Sequence, residues 1–198
     1  MKFVIPKKSL IVFAIAIIIT AGLLTITYGG NNYASVFFGE TPRKIPVYCV
    51  ETEEKKVALT FDSAWGADKT LSILEILNEY GVKATFFIVG FWAEEYPDMV
   101  QAIHDVGMEI GTHSNTHADF ANLSEEQIKL ELETSIDLIK QASPDTEVSL
   151  FRAPYGSYNN TALTIAESLN LQTIQWDVDT LDWKGISAVE IANWLNFD

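Results

Sequence analysis

The stretch Val57-Ala58-Leu59-Thr60-Phe61-Asp62-Ser63-Ala64-Trp65-Gly66 carries the first decision about the fold. A short apolar run from Val57 to Phe61 that ends on an acid predicts a buried strand delivering Asp62 at its carboxyl end. Downstream, Leu71, Leu74, Ile76, Leu77 and Tyr80 recur at helical spacing across 69–80, and Gly81 stands where a helix stop is expected. Residues 84–89 predict the next strand, 97–106 a helix closed by Gly107, and 108–111 a strand running into His113. Ser124 with Gln127 forms a capping-box pattern that opens a long helix. Ile128, Leu132, Ile136 and Ile139 share its apolar face, and Ser143-Pro144 is its stop. Residues 148–151 predict a strand entering Arg152, 161–169 a helix, and 173–178 a strand entering Asp179. Strands and helices that alternate in this way predict a parallel α/β sheet or barrel, with its site where the strands end.

Composition agrees with one folded domain plus a small addition. The 198 residues are 48% apolar and 12% aromatic, enough for a sizeable core. A net charge of −14 makes nucleic acid a poor partner and says nothing decisive about an uncharged ligand. With the single cysteine Cys49 there is neither an intrachain disulfide nor a thiolate zinc cluster, so any metal site draws on His and carboxylates.

At the N-terminus, Lys2, Lys7 and Lys8 precede an uncharged apolar run from Leu10 to Thr27, about the length of a bilayer-spanning helix. No A-x-A-like cleavage site precedes Tyr28, so an uncleaved single-pass anchor in the cell membrane is expected. The lysines would stay inside and everything from residue 28 would lie outside the cytoplasm. The expected organisation is an anchor over 1–28, a linker or leading strand over 29–54, which includes Pro42 and Pro46, and a globular domain over 55–198.

Each polar residue at a strand end has two readings. His113 and His117 are spaced so that a helical turn would aim both imidazoles at one metal, or they are two surface or capping histidines in a polar loop. Asp62 is a catalytic acid or a turn cap, and Arg152 in R-A-P-Y-G braces a carboxylate in either case. Trp65, Trp92, Trp176 and Trp183 could stack on sugar rings or fill the core, with Trp65 and Trp183 the better groove candidates.

Taken together and in order, T-F-D (60–62), H-S-N-T-H (113–117), R-A-P-Y-G (152–156) and D-T-L-D-W (179–183) resemble the polysaccharide deacetylase family, or NodB-homology domain, of carbohydrate esterase family 4 type. L-T-F-D-S-A-W-G is especially similar to its sporulation-associated branch. The resemblance runs from about Lys55 to the end. It implies a distorted (β/α) barrel and a divalent metal, most often zinc, in the hydrolysis of N-acetyl groups from amino sugars of a peptidoglycan- or chitin-like polymer. It further implies Asp62 as catalytic base, His113 and His117 as metal ligands and Arg152 as the group that orients the base. Tyr155 would offer its backbone N–H to the oxyanion, and Asp182 with Trp183 would match the carboxylate and tryptophan near the proton donor.

Two departures touch that chemistry. Ser63 stands where members of the family carry a second aspartate as third metal ligand, and a hydroxyl is a far weaker donor for zinc. Neither Asp68 nor Asp119 is assigned as a replacement by spacing. No L-x-H follows Asp182-Trp183 before Asp198, and His104 lies mid-helix, so the general acid is expected to be absent from these 198 residues, either because the sequence is part of a longer protein or because the domain is degenerate and lacks the final strand. The rivals to a deacetylase are a catalytically impaired glycan-binding domain of the same fold and a hydrolase of another non-peptide C–N bond. Oligomeric state is not legible.

Overall fold

The computed structural model describes residues 15–20 and 42–194. One compact unit begins at Lys44. Its sheet contains five parallel strands in sequential order, β1 (Leu59–Ser63), β2 (Ala84–Ile88), β3 (Glu109–Thr112), β4 (Leu150–Phe151) and β5 (Gln172–Thr173). The crossovers hold α1 (Thr70–Glu79), α2 (Gly90–Glu95), α3 (Pro97–Asp105), α4 (Glu125–Ala142) and α5 (Asn160–Ser168), and α6 (Ala188–Trp194) follows β5. Among the described residues the sheet is open, and the barrel expected from the resemblance is seen only as this run of five parallel strands.

Of the predicted anchor, residues 15–20 are described and helical, and the remainder of 10–27 lies outside the described residues. Among the described residues no helix is long and apolar enough to cross a membrane.

Several boundaries move for physical reasons. β1 starts at Leu59 because its partner begins at Ala84, while Val57 is exposed, so Asp62 lies within the strand and Ser63 ends it. In α1 the buried residues are Thr70, Leu74 and Leu77, whereas Leu71, Ile76 and Tyr80 face outward, against the expectation of one apolar face. The six-residue α2 was not expected, and Trp92 within it is core, its indole N–H donating to the Gly66 carbonyl at 2.7 Å. The strand expected over 173–178 ends early. Ile174 makes a single parallel bridge to Val47, with Val47 N–H donating to Thr173 at 3.0 Å and Gln175 N–H to Val47 at 2.7 Å. The chain then bends away at Asp177 and Val178. In α4 the capping box forms as expected, with Ser124 accepting from Gln127 N–H and the Gln127 side chain accepting from Ser124 N–H.

Period-two alternation in β2 decides where the site lies. Phe86 and Ile88 enter one core with Leu74 and Leu77 of α1, Val100 and Ile103 of α3, and Ile110 of β3. Each fully buried side chain of this size contributes about 2–3 kcal/mol. Phe87 points to the opposite face, on a rung that runs Asp62, Phe87, Gly111 across three strands. Gly111 has to be small there, because a Cβ would sit 2.7 Å from the Phe87 ring. A second core gathers Ile128 and Leu132 of α4, Phe151 of β4 and Ala162 and Ala166 of α5, and fixes the segment that enters Arg152.

Candidate active site

Arg152 leaves β4 one residue after Phe151 and crosses the sheet over the Phe87 ring, its guanidinium carbon 4.1 Å from the ring centroid. It is buried, and its two terminal nitrogens donate to three acceptors, two on β1 and one just after β5. Nη1 donates to the Asp62 carboxylate at 2.7 Å and to the Thr60 hydroxyl at 2.9 Å, and Nη2 donates to the Gln175 carbonyl at 3.0 Å. A planar donor held at both ends leaves Asp62 little choice of rotamer. Asp62 itself is about one third exposed at 36%, so the carboxylate faces both the arginine and the cleft.

His113 follows β3 and is buried. Its Nδ1 donates to the Arg152 carbonyl at 2.8 Å, which assigns the lone pair to Nε2, and Nε2 lies 3.7 Å from Asp62 Oδ2. Burial pushes the His113 imidazole below its ordinary pKa, against the pull of the Asp62 charge. His117 is lowered as well, first by burial and then by His113. Both rings are therefore neutral near pH 7, the state in which an imidazole can bind a metal.

The two rings meet at 5.0 Å between centroids, but not by way of the expected helical turn. Ser114 and His117 adopt left-handed backbone, with φ of 72° and 59°, and the Ser114 hydroxyl accepts the His117 N–H at 2.9 Å. Trp65 and Tyr155 flank His117 edge-on, at 4.8 and 4.6 Å, and both are exposed. Tyr155 is also left-handed at φ 60°, in the short turn Pro154–Gly156, a conformation costing about 1–2 kcal/mol for a residue with a Cβ.

The His113 Nε2 lone pair beside Asp62 and a buried, unpartnered Nδ1 on His117 fit the imidazole half of a divalent-metal site. Among the described residues no third His, Cys, Asp or Glu joins them. Asp119 is committed elsewhere, accepting from Ala121 N–H, Asn122 Nδ2 and the Ser157 hydroxyl. Asp68 pairs with Lys69 in solvent. Ser63, at the end of β1, carries a hydroxyl where the resemblance implies a carboxylate, and a donor set of two imidazoles fits a loosely held ion.

Not every predicted residue joins this cluster. Asp182 and Trp183 lie in a short exposed turn, Asp182–Lys184, where Trp183 packs against Lys184. Among the described residues no hydrogen bond, ion pair or ring contact links them to Asp62, Arg152 or the histidines, because β5 stops before it can carry them there. Thr60, Phe87 and the Gln175 carbonyl were missed. Thr60 had a signal, since it shares a strand face with Asp62 two residues on.

The polysaccharide deacetylase family model matches residues 50–174. The chain is 36% identical over 138 residues to a peptidoglycan-N-acetylglucosamine deacetylase of Bacillus cereus, covering 70% of this chain and 50% of that protein. A carbohydrate esterase family 4 (CE4) pseudoenzyme from Bacillus anthracis superimposes with a TM-score of 0.74 at 35% identity, over 79% of this chain and 54% of that one. The Bc1960 peptidoglycan N-acetylglucosamine deacetylase superimposes at 0.71 with 32% identity, over 75% and 69%. The chain thus spans about half the length of the first relatives it matches. With this sheet, these four motifs and this match over most of its folded part, the chain belongs to the polysaccharide deacetylase family.

Proposed function

We propose that this domain hydrolyses N-acetyl groups from amino sugars of a cell-wall polysaccharide. The observation that carries the reading is the Asp62 carboxylate, fixed by Arg152 at 2.7 Å, facing His113 Nε2 at 3.7 Å and partly open to solvent. Asp62 takes the proton of the attacking water, which requires a carboxylate whose free lone pairs point into the cleft. Arg152 keeps it in that orientation. Trp65 and Tyr155 offer exposed aromatic faces beside His117, suited to the apolar face of a sugar ring. Tyr155, in its left-handed turn, presents its backbone N–H as a donor for the oxygen that gains charge. His113 and His117 would hold a divalent metal, zinc in our reading, which when bound supplies polarisation of the amide carbonyl and a more acidic water. The domain would work outside the cytoplasm, tethered by the apolar segment 10–27.

A second reading, a glycan-binding domain with lost turnover, is favoured by one observation: Ser63 stands at the third-ligand position with no substitute carboxylate among the described residues. Similarity to a structure described as a CE4 family pseudoenzyme points the same way. The two separate in one experiment on the domain extended through any downstream coding sequence, with a chitin-type oligomer and added zinc. Acetate release establishes the hydrolase, and oligomer binding without acetate release at any zinc concentration replaces it with the binding reading.

A further inference from the structure

The loop between the two histidines is held by a residue that no motif includes. Glu131, on α4, points its carboxylate at the backbone of the loop. Its Oε2 accepts the N–H groups of Asn115 at 2.9 Å and Thr116 at 2.8 Å, and its Oε1 accepts the Thr116 hydroxyl at 2.6 Å. From the other side α2 supplies donors: Gly90 N–H reaches the Ser114 carbonyl at 2.9 Å and Phe91 N–H the Asn115 carbonyl at 3.1 Å. Gly90 is required for that approach, because a Cβ would lie 2.3 Å from Asn115 Oδ1 and 3.1 Å from its Cα. Beneath, the Thr112 and Ser135 hydroxyls meet at 2.7 Å, and Ser114 N–H donates to Thr112 at 3.2 Å.

We infer that Glu131 is a positioning residue for His117. The loop contains two left-handed residues, Ser114 and His117, and neither is glycine. Such a backbone persists only where its surroundings over-determine it. Two N–H groups converging on one carboxylate oxygen are the strongest tie this loop has, since hydrogen bonds to an ionised acceptor are about twice as strong as neutral ones. His113 needs no such help, because its N–H bonds the Ile88 carbonyl at 2.8 Å and its ring is fixed by Arg152. Among the described residues, His117 has the Ser114 hydroxyl on its own N–H and three edge contacts on its ring, with Trp65, Tyr155 and His113. Loss of Glu131 therefore frees one imidazole and leaves the other in place. The catalytic consequence rests on the deacetylase reading, but the positioning itself does not.

The test uses the ring-current displacement of the His117 imidazole protons, which reports its place between Trp65 and Tyr155 without metal or turnover. In Glu131→Met, which keeps helix propensity, these resonances move to free-imidazole values, while those of His113, which feels only the departure of the neighbouring ring, move far less and the core methyls stay. Glu131→Gln, whose amide oxygen can accept both N–H groups and whose amide nitrogen can meet the Thr116 hydroxyl, retains most of the displacement. Where the wild type turns over, Glu131→Met lowers kcat by about a hundredfold with KM little changed, the effect of misplacing one group by about 1 Å. Unmoved His117 resonances in a folded Glu131→Met protein overturn the inference, as does equal movement of His113. Should that variant fail to fold, Thr116→Val decides: it removes one of the three bonds, and a partial shift of His117 supports the role where none refutes it.

Discussion

Replacing Arg152 by methionine tests the architecture of the site through a number the geometry supplies. The guanidinium is buried, and its departure leaves the Asp62 carboxylate without its counter-charge. At an effective dielectric of about 20, charge centres about 4 Å apart attract by about 4 kcal/mol. Asp62 is 36% exposed, so screening reduces this to about 2 kcal/mol. The Gln175 carbonyl and Thr60 hydroxyl also lose their donor, at about 1 kcal/mol together after partial relaxation. The expected loss is about 3 kcal/mol, or about 6–12 °C in melting temperature for a domain of this size. Calorimetry of the single variant and of Asp62→Asn/Arg152→Met closes the cycle. The double variant should recover about 2 kcal/mol, because a neutral amide no longer needs the partner. A single variant melting within about 2 °C of wild type, or strict additivity of the two changes, would refute the reasoning.

Three other outcomes follow from the same geometry. Ser63→Asp should tighten zinc binding at least about tenfold by calorimetric titration, since a carboxylate then joins the two imidazoles; unchanged affinity would mean that position 63 does not face the ion. Trp65→Ala removes an exposed ring and should leave the melting temperature alone while weakening oligomer binding about fivefold, and a stability loss with unchanged binding would make Trp65 structural. His113 and His117 are held below the ordinary imidazole value of about 6.5 by burial, so below that pH the unfolded chain takes up protons that the folded one refuses. Stability by urea unfolding should therefore fall as pH drops from about 7.5 to about 5.5, and a flat or rising profile would show that the rings are not held neutral.

Strand ends were legible because a buried parallel strand is a short apolar run, and the residue that leaves it is polar: Asp62, His113 and Arg152 were all read this way. Their convergence follows from adjacency of β1, β2, β3 and β4; alternation predicts parallel strands but not this sequential order, because doubly wound sheets alternate in the same way with other neighbours. Other features depended on partners far away in the chain. α2 is six residues long and starts at glycine, too short to show a period. Trp92 is core because the Gly66 carbonyl meets its indole, a fact of packing between two loops. Glu131 reads as one more charge on the polar face of α4, since its partners are main-chain N–H groups that any residues at 115 and 116 would offer. The curl that brings His117 to His113 is equally hidden, because left-handed backbone at Ser114 and His117 is imposed by contacts from α2 and α4 rather than favoured by those residues.

The most direct test of the site is acetate release from an N-acetylglucosamine oligomer by the domain extended through any downstream coding sequence, with zinc in excess, beside Asp62→Asn, which keeps the shape and removes the base. Release by the wild type and none by Asp62→Asn, with oligomer binding retained in both, is the predicted result. Equal release by the two proteins would contradict the assignment of Asp62 as base.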